Sequence, residues 1–106
     1  MKTDFVIIFI TCPTGKEAKL LAGSLLEKRL IACAGINSGI GSLFRWKGKI
    51  TKAGEVLLTV KTMRKNFKAV EKEVKRLHSY EVPEIIAVPI LCGSGDYLRW
   101  IKESVR

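Results

Sequence analysis

Ser42-Leu43-Phe44-Arg45-Trp46-Lys47-Gly48-Lys49-Ile50 is the stretch on which the fold turns. Strand-forming residues flank Lys47-Gly48, and a glycine in a two-residue loop supplies the positive φ that a tight hairpin turn wants. C-terminal to it, Val56, Leu58 and Val60 alternate with Leu57, Thr59 and Lys61, the two-residue period of a strand. Lys52-Ala53-Gly54 reads as a bulge. N-terminal to it, Leu30 to Ile36 has strand character, separated from Ser42 by a glycine-rich step at Gly39 and Gly41. The hairpin therefore joins two strands, Ile31–Trp46 and Lys49–Thr62, each more than twice the mean strand length of about 5–6 residues.

Helical periodicity lies on both sides of this hairpin. Ala18, Leu21, Ala22, Leu25 and Leu26 stripe residues 15–30, with Thr14 and Glu17 spaced as a capping box. Phe67, Val70, Val74 and Leu77 stripe a second helix. Beyond the helices lie two outer strands. Residues 4–11 form a near-continuous apolar run that predicts a central strand buried on both faces. Ile85–Leu91 predicts a fourth strand, and Pro89 places it at a sheet edge, because a central strand needs every N–H. Ser94-Gly95-Asp96 caps a last helix with Leu98, Ile101 and Val105 facing inward. The order β-α-β-β-α-β is the ferredoxin-like α+β sandwich, here with a long central hairpin and an extra C-terminal helix, in one domain over residues 1–106. Strands this long overshoot a small sheet, and their open edges call for a cover that subunit pairing supplies.

Composition narrows the function. The chain of 106 residues is 47% apolar and 27% charged, the balance of a globular protein. Its longest apolar run, Phe5–Ile10, is far short of the roughly 20 residues of a membrane span. Met1-Lys2-Thr3-Asp4 ahead of so short a run argues against a secretory signal. Three cysteines with no Cys-x-x-Cys pair argue against a disulfide framework or zinc knuckle and for a reducing cytoplasm. Nineteen Lys/Arg face ten Asp/Glu, and eleven basic against three acidic residues fall between Arg45 and Arg76. A basic half attracts anions, although Lys68, Lys72 and Lys75 also fit the solvated face of a helix. The absence of Gln, with two Asn and many Lys, points to a heat-adapted, thermostable protein.

Three groups could carry chemistry. Cys12, Cys33, Cys92 and the single histidine, His78, suit soft or borderline metals such as copper; equally, free cysteines pack as small hydrophobes, and a turn histidine is satisfied by backbone. Phe44, Arg45, Trp46, Lys47, Lys49, Lys61 and Arg64 interleave aromatics with cations, and Ile8-Phe9-Ile10 fits one RNA-recognition signature. Val56-Leu57-Leu58-Thr59-Val60 lacks the aromatics of the other, which argues against nucleic acid. Glu55, Glu84 and Tyr97 are acid–base candidates, but no paired carboxylates, nucleophile elbow or phosphate-binding glycine loop accompanies them, so no enzyme is read here.

Arg29-Leu30-Ile31-Ala32-Cys33-Ala34, Ser42-x-Phe44-x-Trp46-x-Gly48-Lys49-Ile50, Glu55-Val56, Lys61-Thr62, His78-x-Tyr80-x-Val82-Pro83-Glu84-Ile85 and Asp96-Tyr97-Leu98-x-Trp100 together resemble the CutA family of divalent-cation tolerance proteins. The resemblance covers essentially the whole chain. It implies a ferredoxin-like fold and a homotrimer similar in architecture to the PII signalling proteins, with a role in tolerance to copper and other divalent cations. Carried over residue by residue, it implies that Lys61, Tyr80, Glu84, Tyr97 and Trp100 face clefts between subunits that hold a metal ion or small anionic ligand. His78 and Cys33 match positions associated with metal. Trp46, at the hairpin tip, is expected at the trimer interface. Phe44 stands where the family usually has tyrosine, and Ser79 where it has proline. The strand-one thiol is displaced as well, Ile10 filling its slot with Cys12 two residues on. The alternative reading is an RNA-binding module using the Arg45–Arg76 half.

Overall fold

A computed structural model describes residues 4–106; Met1-Lys2-Thr3, on which the reading of the N-terminus drew, lie outside the described residues. The chain runs β1 (Phe5–Cys12), α1 (Gly15–Glu27), β2 (Cys33–Trp46), β3 (Lys49–Met63), a short 3-10 turn (Arg64–Asn66), α2 (Phe67–Leu77), β4 (Ile85–Pro89) and α3 (Gly95–Ser104). The four strands form one antiparallel sheet in the order β2-β3-β1-β4, the ferredoxin-like order. Pro89 lies on the edge strand β4, as its missing N–H requires.

Local chemistry sets the element ends. Thr14 caps α1, its Oγ1 accepting from the Glu17 N–H at 3.1 Å. The reciprocal half of the capping box is replaced, since Glu17 Oε2 accepts from the Ser79 N–H. Arg29 adopts a left-handed φ of 58° after α1. It turns Leu30 and Ile31 into the core, so β2 begins at Cys33 and not at Ile31. Lys47 and Gly48 both have positive φ, 49° and 80°, the turn expected between β2 and β3. The irregularity of the hairpin falls in β2 between Asn37 and Ile40, not at Lys52–Gly54, because Gly39, at φ 80°, takes the left-handed conformation there. Ser94 caps α3, accepting from the Tyr97 N–H.

The core lies on one face of the sheet. Val6, Ile8, Ile10 and Cys12 of β1 and Val56, Leu58 and Val60 of β3 meet Ala18, Leu21 and Leu25 of α1 and Val70 and Val74 of α2. Strand β1 is thus buried on one face and half-buried on the other, which corrects the expectation of burial on both. The other face is apolar all the same. Its cross-strand rows run Cys33–Lys61–Ile7–Val88 and Gly35–Thr59–Phe9–Ile86. Strand β1 ends opposite Val56, so Ile40–Trp46 and Lys49–Glu55 continue as a two-stranded arm. At about 3.4 Å per residue the arm projects roughly 20 Å past β1. It exposes Leu43, Phe44, Trp46 and Ile50, the last at 74%.

Candidate functional site

Apart from exposed Cys92, the cleft, metal and acid–base candidates singled out from the sequence fall into two clusters, separated along β3. The first is built on the row where β2 begins. Cys33 lies opposite Lys61, and α3 brings Tyr97 and Trp100, one turn apart, over the pair. Cys33 Sγ is 3.6 Å from the Tyr97 hydroxyl, Lys61 Nζ is 5.9 Å from the centre of the Tyr97 ring, and the Tyr97 and Trp100 rings meet at a tilt with centroids 5.4 Å apart. The Cys33 thiol beside it, with burial, pushes the Tyr97 hydroxyl above its ordinary pKa. Both rings stay more than 40% exposed. Among the described residues no carboxylate forms an ion pair with Lys61. The cluster offers a cation, a thiol and two aromatic faces, suited to an anion or a soft ligand.

The second cluster lies at the other end of β1, about six residues along β3. Glu55 is only 7% exposed and accepts from the Tyr80 hydroxyl at 2.8 Å, which gives a buried carboxylate the partner it needs. Burial, this bond and the nearby Glu17 and Cys12 push the Tyr80 hydroxyl up to about 12. Cys12 is buried beside Glu17 and Glu55, and desolvation first, then the two carboxylates, raises its thiol to about 11. It is a neutral thiol at ordinary pH, weak as nucleophile and ligand. Glu84 joins Glu55, Thr11, Phe44, Trp46 and Val82 around a concavity of about 330 Å³.

His78 belongs to this second cluster, with its side chain fully buried. Nε2 donates to the Thr11 carbonyl at 2.7 Å, Nδ1 accepts from the Tyr80 N–H at 3.0 Å, and Glu17 Oε2 lies 3.3 Å from Nδ1. Both ring nitrogens are engaged by the protein. Cys33 and His78 lie in different clusters. Among the described residues no group of three or more His, Cys, Asp or Glu side chains is gathered as a metal site. The donors of one chain therefore do not fit a ready-made metal centre.

The structure thus brings together Cys33, Lys61, Tyr97 and Trp100, and separately Tyr80 with His78, and Glu84 with Trp46. Sequence reasoning missed Glu17, which accepts from Ser79 and faces His78 across the two elements. Its spacing from Thr14 announced only a helix cap.

A family model described as "CutA1 divalent ion tolerance protein" matches residues 6–104. The chain belongs to this CutA1 family. It is 42% identical over 98 residues to a divalent-cation tolerance protein CutA of Thermus thermophilus, covering 92% of this chain and 95% of that one. It is 41% identical to the rice protein CutA 1, chloroplastic, spanning 57% of the length of that relative. A solved structure described as the periplasmic divalent cation tolerance protein CutA of Archaeoglobus fulgidus superposes with a TM-score of 0.93 at 45% identity, over 96% of this chain and 99% of that one. The family is linked by name to divalent-cation tolerance, and the Thermus relative is named as a tolerance protein, not as an enzyme. Among the described residues no helix is long and apolar enough to cross a membrane.

Proposed function

We propose that this CutA1-family chain is a cytoplasmic homotrimer of the PII-like type that works by binding, without catalysis. In this reading its intersubunit clefts take up a metal ion or small anionic ligand. The observation that carries the reading is the hairpin arm. A two-stranded ribbon is marginal in water on its own, and this one exposes Leu43, Phe44, Trp46 and Ile50 while the sheet behind it leaves Ile86 and Val88 more than a third exposed. So many exposed large apolar side chains call for a cover. The resemblance to PII architecture supplies the number three. Each cluster is open on one side, so a neighbouring subunit would complete it: Lys61, Tyr97 and Trp100 from one end, Tyr80 and Glu84 from the other.

Copper is the metal favoured within that reading, through the Cys33 thiol and the His78 imidazole. Cys33 is half-buried and reachable, whereas His78 must exchange one of its two hydrogen bonds for the ion. The RNA-binding alternative, drawing on the basic Arg45–Arg76 half, finds no aromatic on the outward face of β3, where Leu57, Thr59 and Lys61 stand. Native mass spectrometry of protein purified without chelator tests the proposal. The expected species is three times 11.8 kDa, with a retained metal or small molecule. A bare 11.8 kDa species at micromolar concentration would overturn the trimer.

A further inference from the structure

We propose a second binding site, for an amphipathic monoanion, in the groove between the inner side of β4 and the start of α2. Helix α1 lies over β2 and β3, and on the helix-facing side of β4 only Ile85 packs against the core. Residues directly opposite one another share a face. Pro89 is paired with Val6 and Ala87 with Ile8, so Ala87 and Pro89 look toward the helices, yet both remain exposed. The small Ala87 side chain leaves a hollow that Val6, Phe67 and Pro89 wall with apolar atoms. Its volume of about 650 Å³ lies within the roughly 300–1,000 Å³ of small-molecule sites.

Arg64 and Lys68 also line this groove, one helical turn apart on either side of Phe67. Among the described residues Arg64 has no ion-pair partner, and Lys68 has only Glu71, at 3.8 Å with an 89% exposed side chain. All the polar side chains lining the groove are therefore cationic, and the rest of the lining is apolar. That complementarity selects an anionic head on an unadorned hydrocarbon body; a sugar or a base would find no acceptor side chain for its donors. The groove lies apart from both clusters described above, since none of their side chains line it, although Val88, at the edge end of the Lys61 row, does.

Decanoate is the probe, titrated into the full-length assembled protein and followed by calorimetry and amide chemical shifts. The expected result is saturable binding, with shifts centred on Val6, Phe67 and Ala87. Acetate, which lacks the tail, and decanol, which lacks the charge, should each bind at least about tenfold more weakly. Ala87→Leu fills the hollow at an exposed position. It should weaken decanoate at least about tenfold with an unchanged circular dichroism spectrum and oligomeric mass, and the Arg64→Ala/Lys68→Ala double variant should do the same. The absence of saturable decanoate binding would overturn the proposal. So would equal affinity in Ala87→Leu, shifts centred on Ile86, Tyr97 or Trp100, or binding only to phosphatidylglycerol vesicles and not to free decanoate.

Discussion

Replacing Trp46 by alanine is expected to weaken the assembly more than the subunit. Its indole is 39% exposed on one chain, so a monomer would lose little. A large aromatic at an interface commonly carries about 2 kcal/mol or more. Sedimentation across a concentration series reads the loss, with far-UV circular dichroism holding steady; unchanged trimer stability would return Trp46 to the free surface. The three thiols should differ sharply in reactivity. With its thiol raised to about 11, Cys12 is ionised to only about one part in a thousand at pH 8. A thiol reagent should label exposed Cys92 first and Cys12 only on unfolding; labelling of both at one rate would contradict the burial. His78→Ala tests the copper reading, with a fall in copper affinity expected in a titration of the trimer. The sequence presented His78 under two descriptions, turn residue and ligand. Its hydrogen bonds to Thr11 and Tyr80 were not legible, because one partner is a backbone carbonyl 67 residues away.

At the scale of elements, α1 and α2 are clamped by Glu73. Its carboxylate, 8% exposed, meets Lys28 at 3.0 Å and Arg76 at 2.8 Å, and accepts from the Ser24 hydroxyl. The Arg76 and Ser24 hydrogen bonds hold Glu73 far below the usual carboxylate range. A depressed folded-state pKa gives stability that is present above the unfolded value, about 4.5, and is lost as pH falls below it. Glu73→Gln should lower the melting temperature at pH 7 and flatten the acid limb of a stability–pH curve. The same melts on Glu71→Gln, whose ion pairs are long and exposed, should change little. Part of the alkaline limb belongs to the second cluster. The Tyr80 hydroxyl is raised from 10 to about 12, so its contribution is complete below about pH 10 and is lost as pH rises towards 12. Tyr80→Phe should remove that part of the alkaline decline, and it should cost about 1–3 kcal/mol at neutral pH by leaving buried Glu55 without its donor. An unaltered alkaline limb would mean that Tyr80 is not the titrating group. The element order was readable because Val56–Val60 alternates and Phe67–Leu77 has helical spacing. The Glu73 clamp was not, since Ser24 is 49 residues from it.

For the molecule as a whole, the proposed trimer would add stability by mass action, and the amide-poor composition acts in the same direction. The protein is expected to melt above the mesophile cluster of about 45–65 °C, with a midpoint that rises with protein concentration. A cooperative, concentration-independent melt inside that range would refute both the composition argument and the assembly. The long axis of one chain, 44 Å against 29 and 23 Å, reflects the projecting arm.

The features legible in the sequence are local and periodic. The turn at Lys47-Gly48, the caps at Thr14 and Ser94, the edge position of Pro89 and the apolar stripes of α1 and α2 follow from short-range sterics and from the 2.0 and 3.6 residue periods. The tertiary structure decided whatever depends on register and on which face each residue meets. It placed the bulge at Asn37–Ile40, buried β1 on one face only, and divided the candidate residues into a cationic thiol–aromatic cluster and a carboxylate cluster. The physical reason is that pairing Cys33 with Lys61, or Tyr80 with Glu55, joins residues many positions apart. Such contacts are won by packing the entire sheet against its helices, and no local spacing encodes them.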